Sequence, residues 1–217
     1  MGNRAVITTK KRDLALYLHW NGGRDSVEAF LKYCELHGFR APEKDCYGWA
    51  RLCQVIANFI DPSGGLSVGI EPYTDDERAN PGDNGIYVIE GWKIVDRIVP
   101  SWFSHEHDAY DLMEMLKDID ESQPEDMRLG AYLDSVEVPL KDVLVGDIVY
   151  VRDFFDGTVT TYEVIDLAAR PHSMRKDPVP VIGKYGVDKG REGIFENDDN
   201  FITDKTVRIV PRVPKEA

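Results

Sequence analysis

The sequence predicts an α+β fold: an N-terminal β-hairpin with helices and an antiparallel sheet, followed by a small, mostly-β domain of barrel-like form. Apolar residues recur at helical spacing in three stretches of the first 123 residues. After Pro124 the chain instead carries short β-branched and aromatic runs that end in turn residues. We therefore predict an α+β domain over residues 1–123, a linker over 124–139 and a small β domain over 140–217.

The N-terminal elements follow from local patterns. Residues 5–9 and 14–20 are apolar runs separated by four polar residues, which predicts a β-hairpin. A glycine turn leads into a first helix that we expect to begin at Asp25 or Ser26, with Asp25 and Glu28 forming a capping box. A second helix is predicted over residues 47–60, capped by Asp45.

Strands are then predicted over residues 66–73, 86–90 and 92–99, around a polar loop and Gly91. A third helix is predicted over about 105–121, with Ser104 as its cap. In the C-terminal part, strands over 148–155 and 158–165 flank the hairpin turn at Asp156-Gly157, and a last strand covers 205–210. Several short strands joined by such turns are typical of a small barrel or curled sheet.

Composition places the chain among ordinary globular proteins. It has 217 residues, 42% hydrophobic and 30% charged, and no apolar run approaches the roughly 18 residues of a membrane span. The N-terminus lacks the apolar core of a signal peptide, and the three cysteines lack metal-finger spacing. We therefore expect a cytoplasmic protein with reduced cysteines and no contact with a membrane.

The net charge of −13 is concentrated in the middle of the chain. Residues 1–60 hold nine Lys/Arg against six Asp/Glu, residues 61–140 hold five against 19, and residues 141–217 hold 12 against 14. Phosphate contacts require basic groups, so the middle segment is unsuited to direct nucleic-acid binding. A protein with a basic surface, a cation or plain solubility would explain its acidity.

The third predicted helix carries Asp111, Glu114, Asp118 and Glu121 at intervals of three, four and three residues. Such spacing repeats negative charge at about 5 Å along one helix face. These four residues are our predicted partner-binding residues, because the face could imitate a phosphate backbone for a DNA-binding protein. The alternative is an ordinary solvated face.

The glycine turn supports an alternative, phosphate-binding hypothesis through Asn21, Gly22, Gly23, Arg24, Asp25 and Ser26. It resembles the loop of the PP-loop ATP pyrophosphatases, which have Ser-Gly-Gly-x-Asp-Ser between a strand and a helix. Asn21 stands in place of the first serine, while both glycines, Asp25 and Ser26 match. The resemblance implies phosphate binding at a helix N-terminus. The same residue types equally describe a tight turn followed by a helix cap.

Two further motifs are weaker indications of a catalytic or metal-binding site. Cys46 at a helix N-terminus resembles the nucleophile of papain-like cell-wall peptidases, but the strands that follow contain no histidine base. Residues 105–108, His-Glu-His-Asp, lack the spacing of a helical zinc site. We therefore expect no catalytic residues, no metal and no cofactor.

Residues 1–7 (MGNRAVI) and 17–27 (YLHWNGGRDSV) are similar to those of uncharacterised proteins from bacteriophages and mobile elements of Gram-positive bacteria. A wider phage-associated set has a His-Trp-Asp-Gly turn where this chain has Asn21. Phage accessory genes often encode inhibitors of host defence, so the resemblance implies a protein of that kind. Together with the charge pattern, it leads us to expect a non-enzymatic, acidic interaction protein that mimics DNA.

Overall fold

The computed structural model describes residues 3–60, 67–99, 111–139, 142–152, 159–168, 179–184, 192–194 and 206–212. The chain divides into two compact units, Met1–Leu133 and Asp134–Ala217, and the point of division lies within the predicted linker. Helices and two largely antiparallel sheets confirm the predicted α+β class.

The sheet of the first unit has the strand order β3-β2-β1-β4-β5. Its strands are β1 (Ala5–Thr9), β2 (Leu14–Leu18), β3 (Val68–Pro72), β4 (Ile86–Glu90) and β5 (Lys93–Ile98). The predicted hairpin is present, with β1 antiparallel to β2. The predicted antiparallel sheet needs one correction, because β1 and β4 pair in parallel and the sheet is therefore mixed.

The described residues of the first unit form four α-helices: α1 (Arg24–Leu36), α2 (Cys46–Ile60), the single turn α3 (Asp76–Ala79) and α4 (Leu112–Ser122). The main core joins buried residues of α1, α2 and α4 to alternate residues of the strands, such as Ile7, Leu16 and Ile89. The side chains of a strand point alternately to its two faces, so these residues line one face of the sheet. A smaller cluster that includes Ala79 of α3 lies around Val6.

The start of α1 differs from the prediction. The helix begins at Arg24, and its N-cap is Gly23, which makes no side-chain cap hydrogen bond. The predicted capping box of Asp25 and Glu28 is therefore wrong, and Glu28 instead accepts a hydrogen bond from Arg24 at 2.9 Å. The start of α2 agrees with the prediction, because Asp45 Oδ1 accepts from the backbone N–H of Tyr47 and Gly48.

The third predicted helix corresponds to α4, whose N-cap is Asp111. Residues 100–110 lie outside the described residues, and with them the predicted Ser104 cap and the motif at 105–108. The predicted linker is structured: 125–127 and 130–132 form single 3₁₀ turns, and Val136–Pro139 is strand β6.

The second unit is an open sheet of order β10-β9-β8-β7-β11-β6. The remaining strands are β7 (Ile148–Arg152), β8 (Val159–Ala168), β9 (Val179–Lys184), β10 (Glu192–Ile194) and β11 (Thr206–Ile209). The predicted barrel-like form is wrong, because closure requires the two edge strands to pair. Within the described residues, the edge strands β10 and β6 do not pair with each other. The predicted hairpin turn at 156–157 lies outside the described residues.

Candidate functional site: the acidic face of helix α4

Helix α4 is held in place by the side that it buries. Leu116 and Ile119 are 1% and 0% exposed and belong to the main core with residues of α1 and α2. Asp120 is buried on the same side of the helix, at 5% exposure. Burial of one whole side fixes both the position and the rotation of the helix, because side-chain packing tolerates little displacement.

Both oxygens of the buried Asp120 carboxylate accept hydrogen bonds. Oδ1 accepts from the hydroxyl of Tyr33 and from the N–H of Leu129, both at 2.6 Å, and Oδ2 accepts from the N–H of Gly130 at 2.9 Å. Three donors offset the cost of burying this group. Burial and the bond to Asp120 together raise the pKa of Tyr33, so the tyrosine remains a donor over the physiological pH range.

The C-terminal end of α4 is tied to α2 by Gln123, which is 1% exposed. Its Nε2 donates to the carbonyl oxygens of Val55 and Ile119 at 3.1 Å, and its Oε1 accepts from Asn58 at 3.0 Å. A buried amide with these partners on two helices aligns the helices with each other. The outward side of α4 is therefore presented on a rigid support.

That outward side carries three of the four predicted contact residues. Glu114, Asp118 and Glu121 are all exposed, and at 100° per residue they lie within a sector of about 60°. Along the helix axis their Cα atoms are about 6 Å and about 4.5 Å apart. We call these three residues the acidic face. The exposed Lys117 borders it on one side.

The fourth predicted contact residue, Asp111, lies at the N-terminus of the helix and caps it. Its Oδ1 accepts from the backbone N–H of Met113 at 2.9 Å and of Glu114 at 3.1 Å. The side chain is exposed, so its second oxygen extends the acidic face toward the N-terminus. Asp111 thus has a structural role that periodicity alone did not reveal.

The glycine turn of the alternative hypothesis packs closely against strand β1. Gly22 donates its N–H to the carbonyl oxygen of Asn3 at 2.7 Å, and its own carbonyl accepts from Tyr87 at 3.1 Å. A Cβ at position 22 would stand 2.6 Å from the Cβ of Ala5 and 2.7 Å from the carbonyl carbon of Arg4. Glycine is required here because the two backbones approach so closely.

The neighbouring residues of this turn place a carboxylate at the N-terminus of α1. Oδ1 of Asp25 would lie 2.5 Å from a Cβ at Gly23, and Arg24 forms an ion pair with Glu28 at 2.9 Å. Ser26 is buried, and Asn21 has a positive φ of 54°. Asp25 thus places a carboxylate in the first turn of α1, where the helix dipole favours negative charge. Phosphate binding by residues 21–26 stays a prediction.

The described residues offer little support for metal or thiol chemistry. Within them, no group of three or more His, Cys, Asp or Glu side chains is arranged to hold a metal ion. Cys46 is exposed at the first residue of α2, while Cys34 is buried in the core. Burial raises the pKa of the Cys34 thiol, which keeps it protonated and unreactive.

Comparisons with known protein families, with curated proteins and with solved structures find no match for this chain. In the described part of the chain, every helix is too short or too polar to cross a bilayer.

Proposed function

We propose that the protein is a non-enzymatic interaction protein whose acidic face binds a basic protein surface in place of DNA. The observation that carries this proposal is the arrangement on α4: three exposed carboxylates on one side and the buried, hydrogen-bonded Asp120 on the other. A ligand surface that is already rigid loses little conformational entropy when it binds.

The spacing of the carboxylates suits a partner that normally reads phosphates. Successive charges about 4.5–6 Å apart along a straight helix offer closely spaced acceptors to Arg and Lys side chains. Because these carboxylates are exposed, they contribute more to the association rate than to the lifetime of the complex. We expect the association rate to fall steeply as salt increases.

The origin suggested by the two N-terminal stretches gives the partner a biological context. We propose a phage or mobile-element protein whose partner is a DNA-binding or defence protein of the host. The concentration of 19 acidic residues in residues 61–140 supports a DNA mimic over a catalyst.

The test compares three immobilised proteins in lysate of a Gram-positive host. The first is the wild type, and the second is the acidic-face variant (Glu114→Lys, Asp118→Lys and Glu121→Lys). The third is a control variant with the same gain in charge at exposed acidic residues outside α4 (Glu71→Lys, Glu77→Lys and Asp126→Lys). Asp111 is left unchanged, because its loss would remove the helix cap as well as a charge.

We expect the wild type and the control variant to retain the same basic, DNA-binding proteins, identified by mass spectrometry. Duplex DNA added to the column should release them, because it competes for the same basic surface. The proposal fails if the acidic-face variant retains the same proteins as the wild type, or if DNA leaves the captured proteins on the column.

A further inference from the structure

The outward side of α2 carries fewer charged residues than the rest of this acidic chain. Arg51 is the sole charged residue among the 15 of this helix, in a chain that is 30% charged. Tyr47 on this side is 65% exposed, more than any other large hydrophobic side chain described. Low charge together with exposed Tyr and Arg is the composition of the centre of protein interfaces.

The loop before α2 holds Tyr47 in a defined environment. The guanidinium of Arg40 lies over the Tyr47 ring, 5.3 Å from its centroid, and its Nη1 is 2.7 Å from Oδ2 of Asp45. Gly48 allows this loop to approach the helix, because a Cβ there would stand 2.5 Å from the carbonyl oxygen of Arg40. These contacts favour one arrangement of the tyrosine and the arginine before any partner arrives.

One turn further along α2, Arg51 repeats the arrangement. Its guanidinium lies 5.1 Å from the centroid of the Phe39 ring, and its Nη1 donates to Gln54 at 2.9 Å. Lys44 is exposed in the loop between Arg40 and Tyr47. We call Arg40, Lys44, Tyr47 and Arg51 the α2 patch. A guanidinium has five N–H donors, so each arginine can also bind a carboxylate.

We propose that the α2 patch binds the acidic face of a second copy of this chain. This inference rests on the proposed function, because it uses the same acidic face, and it adds a partner for that face. The complementarity lies between two surfaces of one chain: three exposed carboxylates on α4, and the exposed Lys44 and Arg51 beside Tyr47 with the Arg40–Asp45 ion pair. Within one chain, Arg40 forms an ion pair with Asp45, and Arg51 donates a hydrogen bond to Gln54. Both partners are close neighbours in the sequence.

The contact is head-to-tail, since two different surfaces meet. Such a contact leaves one free surface at each end, so association continues past the dimer unless a ring closes. The net charge of −13 opposes it over long distances, so it should form at high protein concentration. Self-association covers the acidic face and therefore competes with any basic partner.

The experiment measures the average mass by sedimentation between about 5 and 500 µM protein, at low and at high salt. Besides the wild type, it uses the acidic-face variant, the control variant and a patch variant (Lys44→Glu with Arg51→Glu) that leaves Arg40 and Asp45 in place. Thermal unfolding of each variant checks that the fold is kept.

We expect the mass of the wild type and of the control variant to rise above the 24.6 kDa monomer with concentration, and to return to it in high salt. The acidic-face and patch variants should each require about tenfold more protein to associate. Mixing these two variants should restore association, because each supplies the surface that the other lacks.

The inference is overturned if the wild type stays monomeric throughout, if the patch variant associates like the wild type, or if the mixture stays monomeric. None of these results affects the proposed function, which is judged by capture of host proteins. Conversely, a wild type that associates as expected but captures no host protein rules out a host partner for the acidic face, while the self-association through that face is still supported.

Discussion

Replacing the buried carboxylate of α4 with an amide, Asp120→Asn, tests the support of the acidic face. The change keeps the shape of the side chain but replaces one acceptor oxygen with an NH₂ group. Oδ1 accepts from Tyr33 and Leu129 and Oδ2 accepts from Gly130, so either orientation of the amide sets an N–H against a bonded donor. We expect the free energy of unfolding to fall by about 2–3 kcal/mol.

The assay is urea denaturation followed by circular dichroism, with thermal unfolding as a second measurement. A loss of this size corresponds to a fall in Tm of roughly 4–12 °C for a chain of this length. The control is Asp118→Asn on the same helix, which removes an equal charge from an exposed position. We expect that variant to remain within about 0.5 kcal/mol of the wild type.

Equal stability of Asp120→Asn and Asp118→Asn would refute the reasoning, because it would mean that burial and the three donors contribute nothing. Tyr33→Phe gives an intermediate case. It removes one donor and leaves the two backbone bonds to Asp120 in place, so the expected loss is about 1 kcal/mol.

Three further predictions concern other parts of the chain. In urea denaturation, Gly22→Ala should lower the free energy of unfolding by at least about 2 kcal/mol, because the added Cβ would meet backbone atoms. Gly23→Ala should lower it by less than about 1 kcal/mol, because its Cβ would meet only the movable end of the Asp25 side chain. Equal losses for the two variants would contradict this. Hydrogen bonds from Arg212 lower the pKa of Asp147. The pair therefore stabilises the fold at pH values above the ordinary carboxylate pKa, and this stabilisation is lost as the pH falls through the lowered pKa. In thermal unfolding, Arg212→Gln should be less stable than the wild type at pH 7, and the difference should shrink towards pH 2. Cys46, the exposed thiol, should react with Ellman's reagent in the native protein faster than the two other thiols, and loss of the fast phase in Cys46→Ser identifies it.

Elements set by neighbouring residues were predicted well from the sequence. The β1–β2 hairpin follows from two apolar runs and four polar residues between them, and both strands form. The cap of α2 also follows from local chemistry, because an aspartate before a helix can accept from the first free N–H groups. In both cases the interacting atoms are only a few residues apart in the chain.

Features that depend on distant residues were not predicted. The parallel pairing of β1 with β4 joins Val6 to Ile86, and no local pattern indicates it. The failed capping box at α1 has the same cause: Gly22 is held against β1, and the helix starts two residues later, at Arg24, with Gly23 as its N-cap. The open C-terminal sheet likewise depends on which edges meet, which turn residues do not specify.

The acidic face shows how far periodicity can take a functional prediction. Intervals of three and four residues correctly place Glu114, Asp118 and Glu121 on the exposed side of α4. By the same helical geometry, Asp120 lies about 200° around the helix from Asp118 and faces the core. A feature that indicates its role is its position beside the buried Ile119. The exposed charges and the buried anchor are therefore coupled. A one-residue insertion between Glu114 and Leu116 would turn Glu114 by about 100° away from Asp118 and Glu121. Those two residues keep their register with the buried Leu116 and Ile119, so the three carboxylates share one face only in the present register.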